Sequence, residues 1–502
     1  MNTPLFERYA DRIAGVLTCY DRIVMTGTLP GACHAAGMTS FLNAKGLRIF
    51  DYPQFAEPLR ERLRANAEAL AASAGITVQY ISKAHIRKEA VVAAVIETRG
   101  DHPGLVHILS VMEACSSYSA WHDKRTHQTY LRAKSGKCLH YYFYFIDAEL
   151  GLMYVRVPTW CPFRLQVYCN GHSWLARQLS AAGMGYAMAD NAFLRVDDWE
   201  RAQQLANSQS PDLLHRVLDR YAHQCCPVSD VFNQTYHWSL MQVECSTDLA
   251  FGSQATFKPL FDAISREAII SVKAPQVMHF LGKKLSAQVA QEIESRLSTR
   301  IEGTCIKHRL GKHSVKMYDK FARVLRIETT TNDVSFFKHH RKVEHRDGQT
   351  TRELAAVKKS IYSLIDLREI LLGCNRRYLD FLSSLDDFSA GTRCLNKLTT
   401  PKQIDGHRVK GFNFFDKIEH ALLCSLQNPA FNIRGLRRAD LKPFVPSLSV
   451  SSITRHLKRL RDFGLIKKVV GTYRYYLTRT GRNAIAAACR LREQLIIPAL
   501  AA

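Results

Sequence analysis

The chain has 502 residues with 46% hydrophobic and 23% charged residues, a globular composition that excludes wholesale disorder. Its length exceeds a single hydrophobic core, so several domains are expected. A formal net charge of +24 favours a polyanionic partner. No apolar run approaches the roughly 20 residues needed to cross a bilayer, and Met1–Arg8 lacks a signal-peptide core, so the expectation is a cytoplasmic protein with no membrane partner.

In chain order, the first predicted strand lies in 12–30 and carries Asp21, ending at Gly27-Thr28-Leu29-Pro30. A helix is expected over 55–74, then strands at Ile76–Ile81 and Leu105–Met112, with Glu113 closing the latter. Tyr141–Ile146 and Leu152–Val157 flank an Asp147–Gly151 turn, the pattern of a hairpin. A strand at Arg164–Tyr168 and a helix over Ser173–Ala182 complete an expected mixed α/β domain over 1–225.

A second, basic, sheet-containing domain is expected over 226–350. It has helices near 255–270 and 284–298, then three β runs at Thr304–Arg309, Ser314–Asp319 and Val324–Thr330. Residues 351–385 carry a helical stripe through Leu354, Val357, Ile361, Leu364, Leu371, Tyr378 and Leu382. This is the period of one long packed helix, or of a seam for a homodimer through 352–385. Residues 386–411, polar and punctuated by Gly391, Pro401 and Gly406, are expected as a linker before a domain over 412–502. The fold class expected is mixed, multidomain α/β.

The sharpest pattern is C-terminal. With Ile453 at zero and 100° per residue, Leu457 and Leu460 fall within about 40° of it, while Ser451, Arg455, Lys458 and Asp462 fall on the opposite face and Arg459 at its edge. Ser449 suits an N-cap, and Gly464 suits a left-handed C-cap. Between 431 and 482 there are 13 Lys/Arg against two Asp/Glu. Such an excess can neutralise phosphates while helix side chains reach base edges. The motif Ser449-x-x-x-x-Thr454-Arg455-His456-Leu457-Lys458-Arg459-Leu460, then Gly464-Leu465-Ile466, Gly471-Thr472 and Tyr476-Leu477-Thr478, resembles winged helix-turn-helix domains of bacterial regulators, the MarR-like group among them. The resemblance covers 412–486. It implies nucleic-acid binding, DNA ahead of RNA, through Ser451, Arg455, Lys458 and Arg459 on the helix and Arg474 on the wing. The whole chain also resembles a widespread bacterial family of unassigned chemistry that ends in this domain. That implies a bacterial cytoplasmic setting; the expected class is a nucleic-acid-binding protein serving a mobile element or regulation.

Elsewhere the candidates are fewer. Alternation puts Lys316, Tyr318 and Lys320 on one strand face, and Arg326 and Glu328 on one face of the next strand. If the faces coincide, they make either a phosphate-gripping sheet or cross-strand ion pairs. The stretch resembles strands of phage and plasmid replication initiators, which would imply a nucleophilic Tyr318 near a metal-binding Glu328. A separate enzymatic alternative starts from Asp21 and Glu113 as catalytic carboxylates, joined by Asp147 or Asp190. Acids at strand ends hold Mg²⁺ in RNase-H-like nucleases and transposases. Under the leading reading no cofactor is required. A third alternative is a ligand-responsive transcriptional repressor. His107, His140 and His172 are expected as satisfied structural histidines. The 14 cysteines contain no Cys-x-x-Cys pair and are expected as reduced, buried small hydrophobes.

Overall fold

Residues 6–7, 9–83, 85–283, 293–300, 303–386, 396–428, 431 and 435–491 are described by the computed structural model. The protein is mixed α/β and divides into two units, Met1–Asp386 and Asp387–Ala502.

The first unit is organised by two strands that are buried on both faces over most of their length. β1 (Ile13–Thr28) is buried over most of its length, and its sequence Val16-Leu17-Thr18-Cys19-Tyr20 has no solvent face to offer. Such a strand belongs at the centre of a covered sheet. The elements that follow are α1 (Ala35–Ala44), α2 (Tyr52–Ser73), β2 (Val78–Tyr80) and α3 (Lys88–Arg99). Next come β3 (Gly104–Asp123), β4 (Gln128–Asp147), β5 (Gly151–Pro158) and β6 (Leu165–Cys169). α4 (Gly171–Ala181), the hairpin β7 (Tyr186–Ala189) and β8 (Ala192–Val196), α5 (Trp199–Asn207) and α6 (Pro211–Cys225) lead to the second largely buried strand, β9 (His237–Phe251). α7 (Gln254–Ser271) and α8 (Ala274–Phe280) precede a meander of β10 (Ile293–Arg300), β11 (Gly303–Leu310), β12 (His313–Lys320) and β13 (Val324–Thr331). The hairpin β14 (Lys338–Glu344) and β15 (Thr350–Ala356) and the helix α9 (Leu364–Asp386) close the unit.

Eleven of these strands form one sheet in the order β10-β11-β12-β13-β9-β1-β6-β5-β4-β3-β2. The boundary expected at residue 225 therefore does not separate two sheets. β9 pairs with β1 on one side and with β13 on the other, and its run Val243–Phe251 is buried throughout, so it needs partners on both edges and cover on both faces. On one face α9 lies across the centre. Asn375 donates to the Cys245 carbonyl at 3.0 Å and to Thr247 Oγ1 at 3.2 Å. On the other face the start of α4 and the β7–β8 hairpin cover the middle of β1, β9 and β13, through His172 and Asn191.

Two helical expectations are corrected. Residues 293–298 are strand, not helix: Ile293–Arg300 is zipped to β11 in full register, and the gain from extending a sheet edge overrides helical propensity there; residues 284–292 lie outside the described set. The helix expected over 351–385 begins at Leu364. Thr350–Ala356 pairs with β14, and Ser360 caps a short 3₁₀ turn before α9. Leu354 is exposed, whereas Leu364, Leu367, Leu371, Tyr378 and Leu382 are buried in the unit's own core, so the stripe expected as a dimer seam is already covered.

In the second unit, the expected linker carries a short hairpin, β16 (Lys402–Ile404) and β17 (His407–Val409), while 387–395 lie outside the described residues. α10 (Lys417–Ser425), α11 (Arg438–Leu441) and α12 (Val450–Asp462) follow. A hairpin of β18 (Ile466–Lys468) and β19 (Tyr475–Leu477) then leads to α13 (Arg479–Arg490). A separate core of Leu422, Leu441, Ile453, Leu457, Leu460 and Ile485 holds them. Among the described residues no helix is long and apolar enough to cross a membrane.

Candidate functional site

Strand register gathers charge at the centre of the large sheet. Arg326 on β13 stands opposite Asp248 on β9, and Lys316 on β12 stands opposite Glu328. The Arg326 fork closes on Asp248, with Nε to Oδ1 and Nη2 to Oδ2 both 2.7 Å. Nη2 also donates to the Asn191 carbonyl at 2.6 Å, and Nη1 lies 3.6 Å from Asp21 on β1. Asp21 accepts from Asn191 Nδ2 at 2.5 Å and Asn170 Nδ2 at 3.2 Å, and lies 3.3 Å from His172 Nδ1. Asn170 does double duty, since its side-chain oxygen also caps α4. Beside this group, Lys316 Nζ bridges Glu328 and Glu244, the latter at 3.4 Å, and Thr330 donates to Glu244 at 3.2 Å.

All of these charges are buried: Arg326 is 0% exposed, Asp248 1% and Glu328 2%, with Asp21, Lys316 and Glu244 between 7% and 9%. Burial would raise the Asp21 carboxyl, but Arg326 and the His172 hydrogen bond outweigh it and hold it well below the usual carboxylate range. Glu328 moves the other way. Burial, with Glu244 and Asp21 close by, outweighs Lys316 and lifts it to about 8.

Asp21, Glu244 and Glu328 offer carboxylate oxygens within 4.8 Å of one another, a donor set suited in principle to Mg²⁺. The cations already present argue against that use. Lys316 occupies the space between Glu244 and Glu328, and Arg326 attends Asp21. The residues fit an internal ion-pair network better than a resident metal.

The structure distributes the sequence-named residues unevenly. Asp21 and Glu113 do not share a site. Glu113 lies in the middle of the long strand β3, where it accepts from Lys88 at 3.0 Å, from Tyr142 at 2.8 Å and from Arg156 at 2.9 Å. Asp147 accepts from Tyr221 at 2.8 Å and from the backbone of its own turn, and Asp190 from Lys320 at 3.3 Å. The polar faces of β12 and β13 do coincide, but under cover. Lys316 and Arg326 are buried, Lys320 is tied to Asn191 at 2.9 Å, and Tyr318 sits with the Lys316 ammonium 5.7 Å from its ring. Lys316 and Arg326 are therefore removed from contact with an external phosphate. Asp248, Glu244 and Asn191 were not singled out from the sequence. Nothing local marks them, because they matter only through the register of β9 and the fold-back of β7–β8. His172 lies within this group, with Nε2 3.1 Å from Arg326 Nη2 and 3.3 Å from Ser246 Oγ, and Nδ1 3.3 Å from Asp21. Two thiol–imidazole groups also assemble without a sequence signal: Cys115, Cys138 and His140, and His420, Cys424 and Cys489.

In the second unit α12 has a large apolar–polar contrast. Ser449 accepts from the Ser452 amide at 3.2 Å and starts the helix. Gly464, at φ 73°, allows it to stop. Ile453, Leu457 and Leu460 are buried; Ser451, Thr454, Arg455, Lys458 and Arg461 are exposed. Arg459 belongs to the interior. It pairs with Glu419 of α10 at 2.7 Å, its guanidinium lies 4.1 Å from the Phe412 ring centre, and so it fastens α12 to the core rather than reaching outward. Arg474 is half-buried at the base of the β18–β19 turn, while Lys467 and Lys468 are exposed and Val470 and Tyr473 are 94% and 84% exposed at its tip. Comparison with protein-family models, with curated proteins and with solved structures found no match to this chain.

Proposed function

We propose that the protein binds nucleic acid, DNA ahead of RNA, through α12 and the β18–β19 hairpin acting as recognition helix and wing of a winged helix-turn-helix domain. The setting inferred is a bacterial cytoplasmic one, in regulation or in the life of a mobile element. The observation that carries the reading is the face of α12. Ser451, Thr454, Arg455, Lys458 and Arg461 share one exposed side, on which the single carboxylate, Asp462 at the C-terminal end, is largely covered and lies 3.7 Å from Arg461, while the opposite side is locked into the core. A helix so presented can enter a major groove with cations toward phosphates and hydroxyls toward base edges. Lys467 and Lys468 extend the positive charge onto the hairpin.

The test is duplex binding by fluorescence anisotropy across a salt series, comparing the native chain with Arg455→Ala plus Lys458→Ala. Each lost phosphate contact lowers the slope of log K against log salt by about 0.9. Two therefore lower it by about 1.8, so the ratio of native to variant affinity shrinks about 12-fold between about 50 and 200 mM salt. Equal affinity and equal slope would sink the proposal.

A further inference from the structure

β3 and β4 are each 20 residues long, far longer than their neighbours require. β2 reaches β3 only at Ile108–Ser110, and β5 reaches β4 only at His140–Asp147. From Glu113↔Cys138 to Asp123↔Gln128 the two strands have only each other as strand partners, forming a two-stranded ribbon about 33 Å long. One side of it is anchored: Tyr118 donates to the Ala32 carbonyl at 2.7 Å, and the Leu131 amide donates to Thr39 of α1 at 3.0 Å. The other side carries Trp121 opposite Tyr130 and Ser119 opposite Arg132; at the root Ser117, opposite Lys134, is buried, 3.1 Å from the Tyr52 hydroxyl and donating to the Cys161 carbonyl at 2.8 Å.

The charge of this ribbon is one-sided. Between Ala114 and Lys137 stand Lys124, Arg125, Arg132, Lys134 and Lys137 against a single carboxylate, Asp123. All five cations are exposed. Trp121 stays 46% exposed, with the Arg132 guanidinium 4.5 Å from its ring centre. At the root of the ribbon a cavity of about 360 Å³ adds Arg60 and Arg64 beside Lys137, with Glu61 the one acid in its lining.

We infer that this ribbon is a second nucleic-acid contact and that its ligand is a single strand, whose bases stack on Trp121 while Arg132 and Lys134 hold the phosphates. The inference deepens the proposed function and rests on it. An exposed indole backed by a guanidinium offers a π-face to any base, which is how sequence-tolerant single-strand binding is built. Charge complementarity selects a polyanion. The exposed ring selects unpaired bases over a duplex, whose bases are already stacked.

The experiment uses the full chain and labelled oligo(dT), oligo(U) and a blunt duplex, followed by anisotropy. Trp121→Ala is expected to weaken single-strand binding about 5- to 150-fold, with Trp121→Phe in between and duplex affinity unchanged. Arg132→Ala plus Lys134→Ala is expected to flatten the salt slope for the single strand by about 1.4. The ratio of oligo(dT) to oligo(U) affinity says whether the strand is DNA or RNA. Because Trp121 is exposed, unchanged thermal melting will show that its loss leaves the fold intact. Unchanged single-strand affinity in both variants overturns the inference and leaves the cations as protection of a bare sheet edge. An equal loss on strand and duplex also overturns it, since a groove-seeking ribbon would then explain both. If Arg455→Ala plus Lys458→Ala leaves duplex binding intact while Trp121→Ala weakens the strand, the α12 reading fails alone; if the native chain binds no probe, both fail.

Discussion

Replacing Arg326 by Leu tests the centre of the sheet. The substitution keeps the bulk of an apolar side chain but removes the fork that closes on Asp248 and the cation beside Asp21. Two buried carboxylates would lose their guanidinium and keep only His172, 3.3 Å from Asp21 and 3.6 Å from Asp248, a loss of about 3 to 5 kcal/mol. For a unit running from Met1 to Asp386, an unfolding entropy of about 2.1 cal/mol/K per residue gives roughly 0.8 kcal/mol/K, so the melting temperature should fall by about 4 to 6 °C. The sign of the pH dependence identifies the cause. In the native protein Asp21 and Asp248 are held below the usual carboxylate range: burial opposes this, but Arg326 prevails for both. Their stabilisation is present above the unfolded value of about 3.9 and disappears as pH falls through the folded one. Without Arg326 both carboxyls rise above the unfolded value. The variant then holds protons more tightly when folded, and its deficit should shrink between about pH 8 and pH 5. Scanning calorimetry at the two pH values measures this. A deficit of the same size at both would mean that lost packing, not unpaired charge, is responsible, and no change in melting would refute the ion-pair account altogether.

Two further predictions concern groups away from this centre. Burial pushes His308 and His313 down to about 4, against an unfolded value of about 6.5. The folded state therefore binds fewer protons between these values, and stability falls as pH drops from 6.5 to 4, by up to about 3 kcal/mol for each ring. His308→Gln should remove about half of that slope in a chemical denaturation series. In the second unit, Arg459→Ala should lower the melting temperature of that unit, by loss of the Glu419 pair and the Phe412 contact, yet leave the salt slope of duplex binding unchanged. A lowered slope would mean that Arg459 reaches phosphate after all.

How far the sequence discloses this structure depends on the distance over which each feature is decided. The meander of β11, β12 and β13 is legible because alternation and the turns at Gly311 and at Phe321-Ala322 lie within a few residues of each other. α12 is legible for the same reason, with cap, apolar stripe and stop signal all local. The start of α9 is not, since Thr350–Ala356 becomes strand only because β14 is there to pair with it. Arg459 sits at the edge of the apolar stripe, where helical angle does not decide between water and core; Glu419, 40 positions earlier, decides it. Asp21 was marked by its place in an apolar strand, but its true companions come from β9, β13 and the β7–β8 hairpin, and Glu113 was placed at a strand end that is in fact mid-strand. The polar face of β12 and β13 was correctly paired and wrongly exposed, because the cover arrives from residues 172 and 190–191.

The position of β1 also sets a schedule for synthesis. It lies between β6 and β9, whose last residue follows the end of β1 by more than two hundred positions. At roughly 5 to 20 residues per second on the ribosome, β1 has no β9 to pair with for about 11 to 45 s after it emerges. Throughout that interval one of the most apolar strands of the chain presents an open edge to its surroundings, the arrangement most prone to pairing with another nascent chain. Yield in heterologous expression should therefore depend on translation speed and chaperone supply between residues 28 and 251 more than on the thermodynamic stability of the finished protein.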